Sequence, residues 1–478
     1  MIKRVQDVVS RNVQALRQRG SFAQNFAVTF SGTASVAVIG LLITPIMSRI
    51  YPPASYGQFA VFNSVVSNLN LLTTLGYPGA MLQPQLRERF LALVHLTLLL
   101  TLGSVAVLWL VLLFGAASLR HWLHLEGIGG WLYAIPLLLL LFNLNAVMFT
   151  WYTREKAFKK RAVVDVATTL IGRSFTLGYG WWMSGSVGGL MLGELFNRLA
   201  ATGSLLLGGI GRQLGELRRS FSWRGIRRVA REYREFPLYF LPANYIQTLS
   251  AQLPIFVLSS GFGSTVVGLY SFSVSLLELP INLIGNAIAP VFLQKATETY
   301  AHNPARLPEL TLELYYKMLY LGLLPFGIVT VYGDLLFHFV FGARWQGAGL
   351  FTAFLGYYYV FKLTSQATAG IYTVYGRQRF LLISNVCLLV VRAAGLGLGL
   401  GLHNLNLALL LFGVGSLTTT FLTDMHILSL LQLPVGRIAG RSLLLLSAML
   451  LLLWASRWGL EQVFPELSRQ GAPRALFN

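Results

Sequence analysis

Long apolar runs recur along the chain, from about residue 22 to about residue 454, and 96–114 and 137–149 are two of them. Only 11% of the side chains are charged, whereas an average soluble domain has about 25% charged residues. Side chains of this composition cannot cover a folded core with a surface that is compatible with water. We therefore predict an all-α, polytopic membrane protein, because a helix satisfies its backbone hydrogen bonds internally inside the bilayer.

Charged, proline-rich and glycine-rich connectors divide these runs into candidate transmembrane helices. Twelve have ordinary lengths. A shorter thirteenth, 442–454, has 13 residues where an upright helix needs ~20, and flanking residues could extend it. We predict 12 to 14 transmembrane helices in two six-helix lobes related by pseudo-two-fold symmetry. The first six are 22–48, 57–77, 90–114, 131–152, 162–183 and 187–210, and the second six are 237–260, 265–293, 310–332, 347–375, 380–400 and 405–428.

The longest polar stretch, 211–236, contains eight arginines and separates the two sets of spans. We predict a first lobe at 1–210, a basic cytoplasmic linker at 211–236, and a second lobe at 237–430. The first lobe would start with an amphipathic segment on the membrane surface, and a frayed basic tail is the alternative for this segment. The remainder, 431–478, would hold an additional short transmembrane helix and a tail. Two related lobes are also indicated by a weak internal echo, because Tyr56-Gly57 and the aromatic residues after it resemble 267–272.

The formal net charge of +20 is explained mostly by membrane topology. With the N-terminus in the cytoplasm, 26 lysines and arginines fall in cytoplasmic segments and 6 in the opposite segments. Such a bias is the positive-inside signal of a membrane protein. The basic loops are short, dispersed and without interleaved aromatic residues, so nucleic acid is excluded as a partner.

No pattern of residues predicts enzyme chemistry. The alternating glycines of 395–401 lack the strand and the Lys-Ser/Thr pair of a phosphate loop, and they indicate close helix packing instead. The histidines lack metal-ligand spacing, and Cys387 is the single cysteine. We therefore predict no catalytic residue, no metal site and no cofactor.

Ionisable side chains inside the predicted spans need an explanation, because each costs about 2.5–3.5 kcal/mol at a helix centre. Glu194 and Arg198 are four residues apart and could form a local ion pair. For Arg173, Lys362 and Arg392 three alternatives stay open: a water-filled cavity or ligand, pairing between helices, and snorkelling to the interface. A cavity lined by cations would suit a phosphate or pyrophosphate group. The cations are Arg173, Arg198, Lys362 and Arg392, and the acids are Glu194, Glu278 and Asp424.

The segment 45–59 has a proline, then Ser48-Arg49, then a short connector that ends in Tyr56-Gly57-Gln58-Phe59. It resembles the polysaccharide repeat-unit flippases (lipid-linked oligosaccharide or O-antigen flippases) of the multidrug/oligosaccharidyl-lipid/polysaccharide (MOP) exporter superfamily. The stretch Leu75-Gly76-Tyr77 and the basic connector 152–158 are similar to that family as well.

This resemblance implies translocation of undecaprenyl-pyrophosphate-linked oligosaccharide repeat units across the bacterial inner membrane. Alternating access around a cationic central cavity would serve O-antigen, capsule or exopolysaccharide synthesis. The implied partners are the lipid-linked substrate, membrane lipids and the polysaccharide polymerase machinery. Arg49 lies in the motif itself, where it would either anchor the helix end or contact substrate. The expected substrate-binding cations are Arg173, Lys362, Arg392, Arg198 and Arg49, and the candidates for ion coupling are Glu194, Glu278 and Asp424.

Two alternatives remain open at this point. A multidrug antiporter of the same superfamily would export organic cations and would be expected to carry acids in its cavity. A membrane polysaccharide polymerase would need a large outer loop, and the longest predicted one, 115–130, has 16 residues.

Overall fold

The computed structural model describes residues 22–122 and 126–463, and every regular element in those ranges is helical. The predicted amphipathic segment at the N-terminus lies outside the described residues, as does the end of the tail. The helices are α1 (Phe22–Ile50), α2 (Pro53–Thr73), α3 (Arg87–Trp122), α4 (Ile135–Arg154), α5 (Phe158–Trp182), α6 (Val187–Leu205), α7 (Gly211–Arg219), α8 (Trp223–Glu232), α9 (Leu241–Pro280), α10 (Asn286–His302), α11 (Leu307–Phe341), α12 (Gln346–Thr368), α13 (Gly370–Val374), α14 (Gln378–Gly401), α15 (Leu405–Leu430) and α16 (Val435–Val463).

The prediction of an all-α polytopic membrane protein is confirmed. Among the described residues, 8 stretches are long and apolar enough to cross a membrane. Helices α2, α5, α6 and α12 have 19 to 25 residues and also coincide with predicted spans, but they carry more polar side chains. The chain is therefore a multi-pass membrane protein built from helices.

Helix α9 is interrupted at a point between two predicted spans. Its backbone leaves the helical conformation at Gly263, where φ is 82° and ψ is 174°. A residue with a side chain rarely adopts such a positive φ, so glycine suits this position. The interruption falls between the predicted spans 237–260 and 265–293.

The thirteenth predicted span is longer than expected. Helix α16 has 29 residues, whereas the sequence predicted 442–454. The prediction ended the helix at charged residues, but Arg441 donates to the Tyr320 hydroxyl at 3.0 Å and Arg457 pairs with Asp334. Because neighbouring side chains on α11 satisfy both arginines, the helix continues through them.

Contacts between α carbons divide the chain into two units. Of the described residues, those up to Thr44 and Phe62–Tyr245 form the first unit, and Pro45–Val61 and those from Ile246 onward form the second. The end of α1 and the start of α2, which carry most of the 45–59 motif, therefore belong to the second unit.

In the second unit, the start of α2 and the second half of α9 touch through two glycines. A Cβ atom on Gly57 would lie 1.8 Å from the carbonyl oxygen of Ser264, and one on Gly268 would lie 1.8 Å from that of Pro53. Gly57 thus meets the residue four positions before Gly268, and Gly268 meets the residue four positions before Gly57. Two elements related by a local two-fold axis make reciprocal contacts of this kind. The echo between these segments in the sequence has a structural counterpart.

Aromatic residues surround this contact. The ring of Tyr56 meets those of Phe272 and Trp345 edge-on, with centroids 5.5 and 5.0 Å apart. The Trp345 indole N–H donates to the Ser48 carbonyl oxygen at 2.8 Å, and the Ser48 hydroxyl donates to the Phe341 carbonyl oxygen at 3.1 Å. The motif that carries the family resemblance is therefore a packing element of the second unit.

The alternating glycines of α14 divide into two faces. Gly395 and Gly399 are buried against α15, where a Cβ on Gly399 would lie 2.3 Å from the Ala408 Cβ. A Cβ on Gly397 or Gly401 would meet nothing within 4 Å. Spacing by four residues lets two helix backbones approach closely along one face.

We expect Gly399→Ala to destabilise the protein by about 1–3 kcal/mol, because the added methyl group has no room between α14 and α15. Gly397→Ala is the matched control on the same helix. It should be neutral or stabilising by up to about 1 kcal/mol, because alanine favours a helix over glycine. Thermal unfolding of the two purified variants in the same detergent measures the difference. Equal melting temperatures would contradict the packing role of Gly399.

Candidate functional site

The second unit contains a group of polar side chains from four helices, which we call the polar cluster. It includes two cations and one acid that the sequence predicted for the substrate and coupling sites. Its members are Ser250 and Glu278 on α9, Tyr358, Tyr359 and Lys362 on α12, Arg392 on α14, and Ser416 on α15.

Arg392 is buried, with 7% of its surface exposed. Its Nε donates to the Ser416 hydroxyl at 2.9 Å, one terminal nitrogen donates to both Ser250 oxygens at 3.2 Å, and the other donates to the Tyr358 hydroxyl at 3.0 Å. The guanidinium also lies 4.9 Å from the centroid of the Phe412 ring. All these partners are neutral, and no ion pair among the described residues involves Arg392. The site therefore keeps an uncompensated positive charge inside a membrane-spanning unit.

Lys362 and Glu278 form an ion pair between α12 and α9. The Lys362 ammonium donates to Glu278 Oε1, and the Tyr359 hydroxyl donates to the same oxygen at 3.1 Å. Each side chain of the pair is 27% exposed, so the packed helices do not enclose the pair completely. Of the alternatives for Lys362, pairing between helices is present in this conformation.

The two parts of the polar cluster are joined through neighbouring tyrosines. The rings of Tyr358 and Tyr359 have centroids 5.1 Å apart, and Tyr358 contacts Arg392 while Tyr359 contacts Glu278. Lys362 follows them by three and four residues, which places all three on one side of α12. With two cations and one carboxylate, the polar cluster has an excess of positive charge. Such a site can attract an anion and hydrogen-bond its oxygen atoms.

The remaining predicted residues lie elsewhere. In the first unit, Arg198 Nε and Glu194 Oε1 are 2.7 Å apart on α6, and the Arg198 guanidinium lies 3.8 Å from the centroid of the Phe142 ring. Arg173 is half-buried on α5. In the second unit, Arg49 is exposed at the end of α1.

Asp424 is fully buried on α15 in the second unit. Its Oδ2 lies 2.5 Å from the Thr364 hydroxyl, and its Oδ1 has no hydrogen-bond partner among the described residues. Thr364 Oγ1 is also 2.8 Å from the Phe361 carbonyl oxygen. A hydroxyl has a single proton to donate, so Thr364 can serve only one of these two acceptors at a time.

Sequence reasoning missed two features of the second unit. The hydroxyl partners of Arg392 come from three different helices, and no local spacing indicates them. Arg457 follows the predicted span 442–454 by three residues, and it binds both carboxylate oxygens of Asp334 at 2.8 and 2.7 Å. Its four-residue spacing from Glu461, with which it also pairs at 2.8 Å, was a usable signal of a longer helix.

Comparisons with known proteins agree with this architecture. Residues 46–349 match the model of a family described as "Polysaccharide biosynthesis protein". No curated protein sequence matches the chain.

Three solved structures illustrate the similarity of fold. An inward-facing multidrug resistance MATE family transporter of the MOP superfamily is 14% identical, with a TM-score of 0.60 over 88% of this chain and 98% of that one. An outward-facing MATE transporter of that superfamily is 13% identical, with a TM-score of 0.53 over 86% and 94%. The MATE multidrug transporter DinF-BH, solved as a complex, is 16% identical, with a TM-score of 0.53 over 84% and 93%. Because the identities are this low, these matches show a shared fold only.

Proposed function

The chain belongs to this polysaccharide biosynthesis family and has the fold of the MATE transporters of the MOP superfamily, and from that premise we propose that it is a flippase for lipid-linked oligosaccharides. Its substrate would be an undecaprenyl-pyrophosphate-linked oligosaccharide repeat unit, moved from the cytoplasmic to the outer leaflet of the bacterial inner membrane. The N-terminus would be cytoplasmic. The product would enter O-antigen, capsule or exopolysaccharide synthesis through the polymerase machinery.

The observation that carries the choice of an anionic substrate is the environment of Arg392. Its hydrogen bonds go to hydroxyl and carbonyl oxygens, and no carboxylate in the described part of the chain forms an ion pair with it. Arginine binds phosphate through two parallel N–H donors, and this interaction strengthens in a dry, low-dielectric site. A pyrophosphate oxygen could replace a serine or tyrosine hydroxyl as the acceptor.

The ion pair between Lys362 and Glu278 gives the polar cluster a second role in this proposal. An incoming pyrophosphate would compete with Glu278 for the Lys362 ammonium. The carboxylate released in this way would then take up a proton or another small cation, because an unpaired charge is costly inside the membrane. Substrate binding and ion binding would thus be coupled through one lysine.

Asp424 and Glu194 are the other candidates for ion coupling. Asp424 offers an oxygen without a hydrogen-bond partner among the described residues, where a proton could reside. Glu194 would first have to leave Arg198. Arg173, Arg198 and Arg49 remain proposed substrate contacts. Arg49, exposed at the end of α1, would meet substrate at the membrane surface.

Multidrug antiport is the second candidate, because the solved structures with this fold are described as multidrug transporters. A carrier of organic cations would need an excess of acid in its binding site. The polar cluster has the opposite balance, which favours an anionic substrate.

A deletion strain distinguishes the two functions. We expect loss of surface polysaccharide and accumulation of lipid-linked oligosaccharide in the inner leaflet, with both restored by a plasmid copy of the gene. The measurements are gel analysis of surface glycan and leaflet-specific labelling of the lipid-linked pool. Unchanged glycan together with altered resistance to cationic dyes would support the antiporter instead.

A further inference from the structure

Helix α8, within the polar stretch between the two sets of spans, carries a row of exposed arginines. They are spaced by three and four residues, which aligns them along one face of the helix. We call this row the arginine stripe, and it consists of Arg224, Arg227, Arg228 and Arg231.

The other face of α8 is fixed to the first unit. Ile226 and Val229 are 4% and 1% exposed, and they join a core cluster with Phe90 and Leu93 from the first turns of α3. The Ser222 hydroxyl caps the helix by accepting a hydrogen bond from the Gly225 N–H at 3.2 Å. The stripe is therefore held in a defined orientation.

Nearby carboxylates do not neutralise the stripe. Glu216 pairs with Arg87 at 2.6 Å and Glu232 pairs with Arg89 at 2.8 Å. Both carboxylates therefore form ion pairs with arginines in the first turn of α3. The hydrogen bond from Arg87 also holds the pKa of Glu216 below its ordinary value, which keeps that charge in place. No ion pair in the described part of the chain involves an arginine of the stripe.

An isolated row of arginines of this kind destabilises the helix that carries it. Like charges three and four residues apart repel, and Arg224 stands in the first turn, where the helix dipole disfavours a cation. A layer of anions against the stripe would remove both effects. The stripe therefore fits a partner that presents several negative charges at once.

The surroundings of α8 place this partner in the membrane surface. Ile226 and Val229 pack beside the first turns of α3, at one end of a candidate membrane span, Arg87–Gly115. Phe221 contacts the ring of His95, and Trp223, with 67% of its surface exposed, follows it. Exposed tryptophan near the end of a span is typical of the headgroup region.

We propose that the arginine stripe binds the phosphate groups of anionic phospholipid headgroups and thereby fixes α8 to the membrane surface. The bound lipid would be part of the surrounding bilayer and separate from the transported substrate. Each arginine near an anionic bilayer strengthens such binding by about fivefold, and salt weakens it.

Hydrogen exchange of α8 tests the proposal on the full-length protein in nanodiscs. Replacing part of the phosphatidylcholine by phosphatidylglycerol should slow the exchange of the α8 amides by about tenfold or more, and high salt should reverse the effect. Inorganic phosphate added to phosphatidylcholine nanodiscs should not reproduce it. Identical exchange in the two lipid compositions, or full protection by inorganic phosphate, would overturn the proposal.

Two variants of the four stripe positions test whether the lipid effect depends on these arginines. One variant removes the positive charge and the other keeps it. Changing all four stripe arginines to glutamine should abolish the lipid-dependent slowing, whereas changing them to lysine should keep most of it. The control removes the same amount of charge by replacing four exposed cations of the second unit with glutamine, and it should behave like the wild type. These cations are Lys295, Arg306, Arg377 and Arg379.

Lipid-dependent protection that persists in the glutamine variant of the stripe would refute the assignment. A different result would assign the stripe to an acidic protein partner. In that case phosphatidylglycerol would not change the exchange of the wild-type α8 amides, and the glutamine variant would lose surface polysaccharide.

Discussion

Arg392→Gln is expected to lower flipping of the lipid-linked oligosaccharide by about tenfold to a hundredfold. Glutamine keeps a hydrogen-bond donor for the surrounding hydroxyls but removes the positive charge. A hydrogen bond to a charged group is worth about 1.5–3 kcal/mol, which corresponds to this range. The measurement is the rate at which reconstituted protein moves a labelled lipid-pyrophosphate oligosaccharide between leaflets, together with surface glycan in the complemented deletion strain.

Two comparisons separate a substrate role of Arg392 from a structural one. Arg377→Gln removes an exposed arginine just before the same helix and should leave flipping unchanged. Arg392→Lys keeps the charge without the planar fork and should retain partial activity. Normal flipping by Arg392→Gln at normal protein levels would rule out the role of the polar cluster in substrate binding.

The largest loss of stability is expected from Asp334→Ala. Asp334 and Arg457 are 2% and 13% exposed at the side chain, and the substitution would leave the guanidinium without its main partner. Breaking a buried pair in this way costs about 3–5 kcal/mol. We expect a marked fall in the apparent melting temperature in detergent, and faster proteolysis near α16 if that helix detaches from α11.

The same pair offers its own controls. Glu461→Ala removes a partner of Arg457 that is 30% exposed, and it should cost under about 1 kcal/mol. The double variant Asp334→Leu with Arg457→Leu removes both charges and should recover most of the stability lost by Asp334→Ala. If the double variant melts below Asp334→Ala, the cause is lost packing and not an uncompensated charge.

Much of the fold followed from local properties of the sequence. Hydrophobic runs and their connectors indicated the helices, because a membrane helix needs a minimum apolar length whatever it packs against. Alternating glycines in α14 indicated close packing, and Gly395 and Gly399 do face α15. The sequence prediction ended α16 too early, because Asp334, the residue that neutralises Arg457 within the helix, lies on α11.

The candidate site could be predicted only in part. Sequence singled out Lys362, Arg392 and Glu278 as ionisable residues inside spans, and the structure brings all three into one polar cluster. The sequence could not indicate their hydrogen-bond partners, because the Arg392 hydrogen bond to Ser250 joins residues 142 positions apart. Glu194 and Arg198 were the exception, because a four-residue spacing on a helix brings two side chains together without help from the rest of the fold.

The sequence by itself determined that this chain is a helical membrane protein, where most of its helices run and which charges they carry. These properties follow from composition and periodicity within single segments. Tertiary structure decided which charges are paired, which are surrounded by neutral oxygens, and that the 45–59 motif packs in the second unit against Ser264 and Gly268. Those outcomes depend on which helices become neighbours, and that choice is made by the packing of the whole unit.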